Sequence, residues 1–184
     1  LDLNPLLVQA DPGENLRYCK NKHINTVPDT LDEKIWSDIK EKIETESENK
    51  FEYEIENTSR SVGTRLSHHI YKKFGNNKLK EDTVKIKLEG SAGQSLGAFL
   101  TKGVKLTVEG DCNDYVGKGL SGGTIVVYPS SKSSLISNEN TIIGNTVLYG
   151  ATSGKLFASG QAGERFAVRN SGSFSIVEGC GAHG

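Results

Sequence analysis

The sequence lacks the features that mark several classes of protein. It contains no methionine, one tryptophan and three cysteines among 184 residues. Cys19, Cys112 and Cys180 are odd in number and far apart, so we expect a reducing compartment and no disulfide framework. No apolar run approaches the roughly 18 residues that span a bilayer, and no basic stretch precedes an apolar one at the start. We therefore predict neither a membrane span nor a secretory signal.

An excess of one charge is also missing. Lysine and arginine number 22 and aspartate and glutamate 23, for a formal net charge of −1. This balance provides no global electrostatic reason to bind nucleic acid or a membrane. We expect no partner of either kind. The odd, scattered cysteines favour an intracellular location, in the cytoplasm or a plastid.

Glycine is scarce in the first part of the chain and abundant in the second. Of 21 glycines, only Gly13, Gly63 and Gly75 precede residue 84, which leaves 18 from Gly90 onward. We therefore predict an extended segment over residues 1–28, a lead-in of helices and a strand over 29–82, and a glycine-rich unit over 83–184. Because the first residue is Leu1, we also expect the chain to continue a longer protein.

Two consecutive copies of a 20-residue unit occupy residues 84–103 and 104–123. In each copy apolar residues alternate with polar ones and a Glu-Gly pair follows, which predicts a strand with one buried face. Fixed periods of this length are typical of repeat proteins, so we predict a coil of stacked β-strands. The copies match at Val84/Val104, Lys85/Lys105, Glu89/Glu109, Gly90/Gly110, Gly97/Gly117, Leu100/Leu120 and Gly103/Gly123.

The repeat continues less regularly to the last residue. A third unit covers residues 124–154 and holds a polar insertion at 129–140, which we predict to be a loop. A fourth unit covers 155–172, and a fifth begins at Ser173 and is incomplete at Gly184. The structural glycines predicted for the corners are Gly90, Gly97, Gly103, Gly110, Gly117, Gly123, Gly160, Gly163 and Gly172.

Two helices are predicted before the repeats. Thr30 and Glu33 form the pattern of a capping box, in which Glu33 reaches back to the free amide of Thr30. A second helix is predicted to begin at Thr58 or Ser59 and to end at Gly75. Their apolar faces comprise Ile35, Trp36, Ile39 and Ile43 in the first helix, and Val62, Leu66, Ile70 and Phe74 in the second. Between them Phe51, Tyr53 and Ile55 alternate with glutamates, which predicts a half-exposed strand.

Candidate chemical motifs are weak. Gly117, Gly119 and Gly122 match a dinucleotide fingerprint, but a strand and not a helix is predicted to follow, which favours corner glycines. Cys180 and His183 have no second pair to complete a zinc site. His68 and His69 lie on the second helix, where one or both are expected to be exposed.

Carboxylates are the remaining candidates for chemistry. Asp111, Asp114, Glu164 and Glu178 have no partners in a recognisable catalytic set, which disfavours a carbohydrate-active enzyme. Glu89, Glu109 and Glu178 share one repeat position, so we predict a ladder neutralised by Lys85, Lys105 or Arg165. We predict no catalytic, cofactor-binding or metal-binding residue in this chain.

Six stretches resemble the C-terminal region of the glutamate synthase large subunit. The resemblance implies a mainly β fold, a right-handed parallel β-helix with a short helical lead-in. It also implies a non-catalytic scaffold in an enzyme that makes two L-glutamates from L-glutamine and 2-oxoglutarate. The stretches are QADPGENLRYC (9–19), NTSRSVGTRLSHHI (57–70), EGSAGQSLGAF (89–99), EGDCNDYVGKGLSGG (109–123), IIGNTVLYGATSG (142–154) and GQAGERFAVRNSG (160–172).

The same resemblance implies cofactors and partners outside these residues. The parent enzyme uses FMN and an iron–sulfur cluster, with NAD(P)H or ferredoxin as electron donor. Its amidotransferase and flavin-binding domains, and a reductase subunit or domain, are the expected partners. The alternative is a stand-alone β-helix module that binds a protein.

Overall fold

A computed structural model describes residues 2–7, 28–43, 49–75 and 79–184. The extended segment predicted over residues 1–28 lies mostly outside this part. The helices are α1 (Leu31–Ile39) and α2 (Thr64–Phe74), with short 3₁₀ turns at Asn4–Leu6 and Ser137–Glu139. The strands are β1 (Asn49–Ile55), β2 (Val84–Ala92), β3 (Val104–Cys112), β4 (Ser121–Tyr128), β5 (Thr141–Ile143), β6 (Ser153–Ala158), β7 (Gln161–Ala162), β8 (Phe174–Ile176) and β9 (Gly179–Cys180).

Every pairing between these strands is parallel. One branch of the sheet runs β1-β2-β3-β4-β6-β8, and a second runs β3-β5-β7-β9. Strand β3 joins the branches, because Lys105 to Glu109 pair with β4 while Cys112 pairs with β5. The parallel sheet curls into a half-barrel. The predicted mainly β class is therefore confirmed, and the right-handed β-helix stays a prediction.

Period-two alternation produces continuous rows of buried side chains. Ile86, Leu106, Ile125 and Leu156 occupy matching register positions on four neighbouring strands and are at most 1% exposed. Each such side chain contributes about 2 kcal/mol through burial, but only when a neighbouring strand covers it. The rows therefore stabilise the stack as a whole and no strand singly.

The corners that follow β2, β3, β5 and β7 form a further ladder of hydrogen bonds. The backbone amides of Gly97, Gly117 and Leu148 donate to carbonyls of the preceding unit over 2.7–2.9 Å. In each corner every second residue has positive φ. The backbone amides of these residues donate alternately to the following unit and to the preceding unit. The matching positive-φ positions are Ser61 and Gly63; Ser95, Gly97 and Phe99; Tyr115, Gly117 and Gly119; Thr146, Leu148 and Gly150; and Arg165, Ala167 and Arg169.

The predicted corner glycines lie at three kinds of place. Gly90, Gly110 and Gly123 lie within strands β2, β3 and β4, and Gly97 and Gly117 lie on the hydrogen-bonded corners. The others lie between strands, where Gly103 precedes β3, Gly160 precedes β7, Gly163 follows β7 and Gly172 precedes β8. At Gly110, φ is +151° and an added Cβ would overlap the Gly90 carbonyl oxygen.

Helix α1 begins as predicted, but its capping box is only half formed. The Thr30 hydroxyl accepts from the Glu33 amide over 3.4 Å. The expected return contact is wrong, because the Glu33 carboxylate lies 2.7 Å from Arg65 Nη2 on α2. Glu33 therefore joins the two helices instead of closing the first turn of α1.

The predicted start of α2 is also wrong, since the helix begins at Thr64. Residues 61–63 form the first corner of the stack: the Ser61 amide donates to Gln94, and the Val62 carbonyl accepts from Gly97. The buried Asp32 of α1 supplies the missing cap, because its carboxylate accepts from the amides of Gly63 and Arg65 over 2.6 and 2.9 Å. Burial raises the pKa of Asp32, and these amide bonds oppose that rise. The end of α2 at Gly75 is confirmed.

The helices pack on β1, the first strand of the sheet. Tyr53 of β1 donates to Asp38 of α1 over 2.9 Å, and Asn49 donates to the Lys42 carbonyl over 3.1 Å. Ile35, Ile39, Leu66 and Ile70 are at most 2% exposed and join the sheet in one core. The half-exposed strand predicted here is confirmed, and its parallel pairing with β2 adds a unit before the predicted repeats. The 129–140 insertion is confirmed as a loop between β4 and β5.

We predict that Gly110→Ala destabilises the chain by about 3 kcal/mol, because strain at positive φ adds to overlap with Gly90. Gly150→Ala is the matched control: its φ is +66°, but an added Cβ has nothing within 4 Å. It should cost about 1 kcal/mol. Urea unfolding of both variants measures the difference, and equal losses would contradict close strand stacking at Gly110.

We predict that Asp32→Ala lowers the free energy of unfolding by about 2 kcal/mol, because the amides at the start of α2 lose their acceptor. Hydrogen exchange should accelerate at Gly63, Arg65 and Leu66. Thr30→Ala removes only the local cap of α1 and serves as control. Unchanged exchange at the three α2 amides in Asp32→Ala would show that the cap is not needed.

Candidate functional site

Charged side chains line up across the outer side of strands β1 to β3. Successive strand residues alternate between the core and this side, so the same register position repeats on each strand. We call the outward residues of these strands the charged face. They are Lys50, Glu52, Glu54, Lys85, Lys87, Glu89, Lys105, Thr107 and Glu109.

The glutamate ladder exists, with different members and a different cation. Glu54, Glu89 and Glu109 are register partners on β1, β2 and β3. Lys87 neutralises two of them, since its Nζ lies within hydrogen-bonding distance of Glu89 and 2.9 Å from Glu109. The predicted partners were Lys85, Lys105 or Arg165.

The reason for the correction is local geometry. Residues two apart on a strand point to the same side, so Lys87, which pairs with Thr107, lies beside Glu89 and diagonally opposite Glu109. Lys105 instead lies 3.7 Å from Asp82. Glu178, the third predicted member, lies between β8 and β9 at the far end of the sheet.

The electrostatics of this cluster favour permanent ionisation. Hydrogen bonds from Lys87 and from the Ser131 amide hold the pKa of Glu109 below its usual range. Contact with Glu89 and Glu109 raises the pKa of Lys87. A general acid needs a raised carboxyl pKa near the working pH, so these shifts have the wrong sign for that role.

A cleft of about 430 Å³ lies beside the cluster, between the strand bends and the insertion loop. Gly90 and Gly110 line it together with Glu89, Ser91, Glu109, Ser130 and Lys132. The other predicted carboxylates have structural contacts: Asp111 accepts from Ser91, and Asp114 accepts from the Asn145 amide over 2.7 Å. Glu164 contributes through its backbone and not its carboxylate, since its main-chain carbonyl accepts from the Thr146 amide on a corner. These contacts hold adjacent units together.

The remaining motifs do not assemble into a reactive centre. Gly117 and Gly119 are corner residues at positive φ, and strand β4 contains Gly122, so no helix follows the fingerprint. His69 stacks on Trp36 at 4.8 Å between ring centroids, whereas His68 is exposed as expected. Within the described ranges, no three His, Cys, Asp or Glu residues are grouped as metal ligands would be. No described helix is long and apolar enough to cross a membrane.

A second concave surface was missed by the sequence analysis. We call it the α2 pocket; it has a volume of about 320 Å³. Its lining residues are Thr64, Ser67, His68, Tyr71, Phe99, Thr101 and Ser121. The spacing of Thr64, His68 and Tyr71 on one helix face was visible in the sequence. The approach of Phe99 to that face was not, because the two segments are distant in the chain.

The parallel sheet and its glycine corners define a class of protein. The model of the GXGXG motif family matches residues 32–184, and the chain belongs to that family. The predicted resemblance to the large chain of glutamate synthase is also confirmed.

Three relatives show this likeness over the whole chain. The NADPH glutamate synthase large chain of Azospirillum brasilense is 60% identical over 184 residues. The NADH glutamate synthase of Schizosaccharomyces pombe is 49% identical over 187, and ferredoxin-dependent glutamate synthase 2 of Synechocystis is 45% identical over 185. Each match covers 100% of this chain but only 12%, 9% and 12% of the respective relative.

We predict that Lys87→Met raises the pKa of Glu109 towards its usual value of 4.5 by removing the ion pair. A carboxyl NMR titration measures this directly. Because the folded pKa is lowered, the stability from Glu109 is present above its usual pKa and is lost as the pH falls through the folded value. Lys87→Met should therefore lose less stability on acidification. Lys118→Met, on the corner between β3 and β4, is the control. An unchanged pKa of Glu109 in Lys87→Met would refute the ion pair.

Proposed function

We propose that this chain is a non-catalytic structural domain of a glutamate synthase. The main support is that the whole chain aligns with glutamate synthases that differ in electron donor. The chain spans about a tenth of the length of these enzymes. A segment shared by enzymes that use NADPH, NADH or ferredoxin fits a role independent of the donor. In this proposal it holds the amidotransferase and flavin-binding domains of the same polypeptide in position.

The fold that we propose for this role is a right-handed parallel β-helix. In-register parallel pairing, two sheet branches and a corner ladder support it. We propose that the lead-in over residues 29–82 covers the first turn of the coil and that residues 83–184 continue it. A rod built from neighbour contacts suits a scaffold, because each unit is fixed by the next.

The parent reaction follows from the proposed identity. A glutamate synthase converts L-glutamine and 2-oxoglutarate into two L-glutamates and takes electrons from NAD(P)H or ferredoxin. We assign the nitrogen and electron chemistry to the other domains, with a reductase subunit or domain as a further partner. We place the enzyme in the cytoplasm or in a plastid.

The described residues do not fit the parent cofactors. An iron–sulfur cluster needs several adjacent cysteine thiolates. Cys112 and Cys180 share one register row, but Ile143 and Ala162 separate them. Three strand spacings correspond to about 14 Å, too far for one cluster. No helix follows the glycines at 117–122 to receive the phosphate of FMN. We therefore derive no step through either group on this chain.

We predict that Gly110→Ala in the full-length enzyme lowers glutamine-dependent glutamate synthesis several-fold by loosening the scaffold, and that Gly150→Ala has a much smaller effect. Asp111→Asn should stay within about twofold of the parent rate, because the amide oxygen can still accept the hydrogen bond from the Ser91 hydroxyl. Steady-state assays and bound-flavin content measure these outcomes.

Two results would overturn the scaffold role. One is loss of activity in Asp111→Asn with unchanged stability and flavin content, which would place chemistry at the Asp111 carboxylate. The other is stoichiometric, tight FMN binding by the 184-residue chain itself.

A further inference from the structure

The α2 pocket combines exposed aromatic rings with a wall of structural hydroxyls. Tyr71 and Phe99 are 53% and 54% exposed. The hydroxyls are used internally: Thr64 donates to the Ala98 carbonyl over 2.9 Å, and Ser67 donates to Gly63 over 2.6 Å. The Thr101 amide donates to Ser67 over 3.2 Å. The wall is thus rigid, and the rings are the groups that remain open to contact.

Phe99 occupies a position where the backbone favours glycine. Its φ is +55°, and the matching residues of the next three units are Gly119, Gly150 and Arg169, at +62°, +66° and +60°. A side chain in this region costs about 1–2 kcal/mol. Leu148, at another positive-φ corner, recovers such a cost through complete burial, whereas half of Phe99 faces solvent.

The ring of Phe99 also has a fixed orientation. It lies against Gly119, where an added Cβ would meet Phe99 Cε1 at 2.5 Å. Tyr115, on the same corner as Gly119, is 38% exposed and lies under Lys118, whose Nζ is 5.6 Å from the ring centroid. Pre-positioned aromatic rings are typical of the energetic centre of a protein interface.

The charge around the pocket defines the partner. None of the seven lining residues is acidic. Lys72 follows Tyr71 and shares the helix face of His68, Lys102 follows Thr101, and the Lys118 carbonyl accepts from the Phe99 amide over 2.8 Å. An apolar centre with no acidic lining residue, beside a helix that carries Arg65, Lys72 and Lys73 and no acidic residue, complements an apolar side chain that has a carboxylate beside it.

We propose that the α2 pocket is a docking site for an acidic protein segment that inserts an aliphatic or aromatic side chain between Tyr71 and Phe99. This inference rests on the proposed scaffold role, because it names the contact by which a neighbouring domain of the enzyme is held. The carboxylate of that segment lies near Lys72 and Lys118. In this proposal the strained conformation of Phe99 serves this contact and not the fold of the chain.

Site-specific photo-cross-linking in the full-length enzyme tests the docking site. A benzoylphenylalanine replaces Tyr71, and mass spectrometry identifies the captured peptide. We expect a segment with aspartate or glutamate beside an apolar residue. Phe99→Gly in the same background should lower the yield about tenfold or more, and Lys118→Glu should lower it most at low salt.

Control variants and a second cross-linker site distinguish failure of the docking site from failure of the scaffold role. Phe99→Gly should keep the unfolding midpoint within about 3 °C of the parent, because relief of strain offsets the lost ring contact. Ile136→Gly, at a residue 56% exposed on the insertion loop, should leave capture at position 71 unchanged. A second cross-linker at Ile176, 53% exposed on β8, reports contacts at the far end of the sheet.

Each outcome supports or overturns the docking site or the scaffold role. Capture of an acidic–apolar segment that is lost in Phe99→Gly supports the docking site. Capture from position 176 but none from position 71 overturns the docking site and leaves the scaffold role standing. Capture of a basic segment at position 71 also overturns the proposed partner. No inter-domain capture from either position contradicts both.

Discussion

In-register contact between neighbouring units is the constraint on which the rest of this structure depends. At Gly110 an added Cβ would overlap the carbonyl oxygen of Gly90, so the backbones of β2 and β3 touch where the sheet bends. The same register aligns the buried rows and the hydrogen bonds of the corners. A shift of one residue would move Leu106 and Val108 out of the core and expose them.

The two helices cover the first strand of the sheet. Strand β1 pairs with β2 on one side, and α1 and α2 cover it through Tyr53, Asn49 and the buried isoleucines. The two helices are tied to each other by Asp32, which caps α2, and by Glu33, which pairs with Arg65. These polar contacts, one buried at Asp32 and one part-exposed between Glu33 and Arg65, position the apolar faces of the two helices on the sheet.

The sequence predicted the parts of the fold that depend on neighbouring residues. Alternation at Val84 and Val104 located the start of β2 and β3, but both strands continue two residues past the predicted Glu-Gly ends, to Ala92 and Cys112. The polar composition of the insertion located the loop after β4. The first unit was missed because α2 interrupts it. The corner at Ser61 lies 34 residues before its equivalent Ser95, whereas Ser95 lies 20 residues before Tyr115. An inserted helix hides the period.

Contacts between distant segments could not be predicted in the same way. Asp32 looks like an ordinary residue of the first turn of a helix, and nothing local indicates that it caps a helix 31 residues later. Strand register determines that Glu109 pairs with Lys87. Lys105 instead forms an ion pair with Asp82. The α2 pocket requires both a helix face and a corner residue at positive φ. The charged face and the pocket are therefore properties of the assembled fold.

Native-state hydrogen exchange of the corner amides tests the central claim, that each unit is held by the units on both sides of it. The amides of Gly97, Gly117, Leu148 and Ala167 all donate to the preceding unit. Our account predicts strong protection at Gly117 and Leu148, in the middle of the stack, and a decline at Ala167 towards β8 and β9. Exchange at Gly117 as fast as in an unfolded peptide, or equal protection at all four amides, would contradict it.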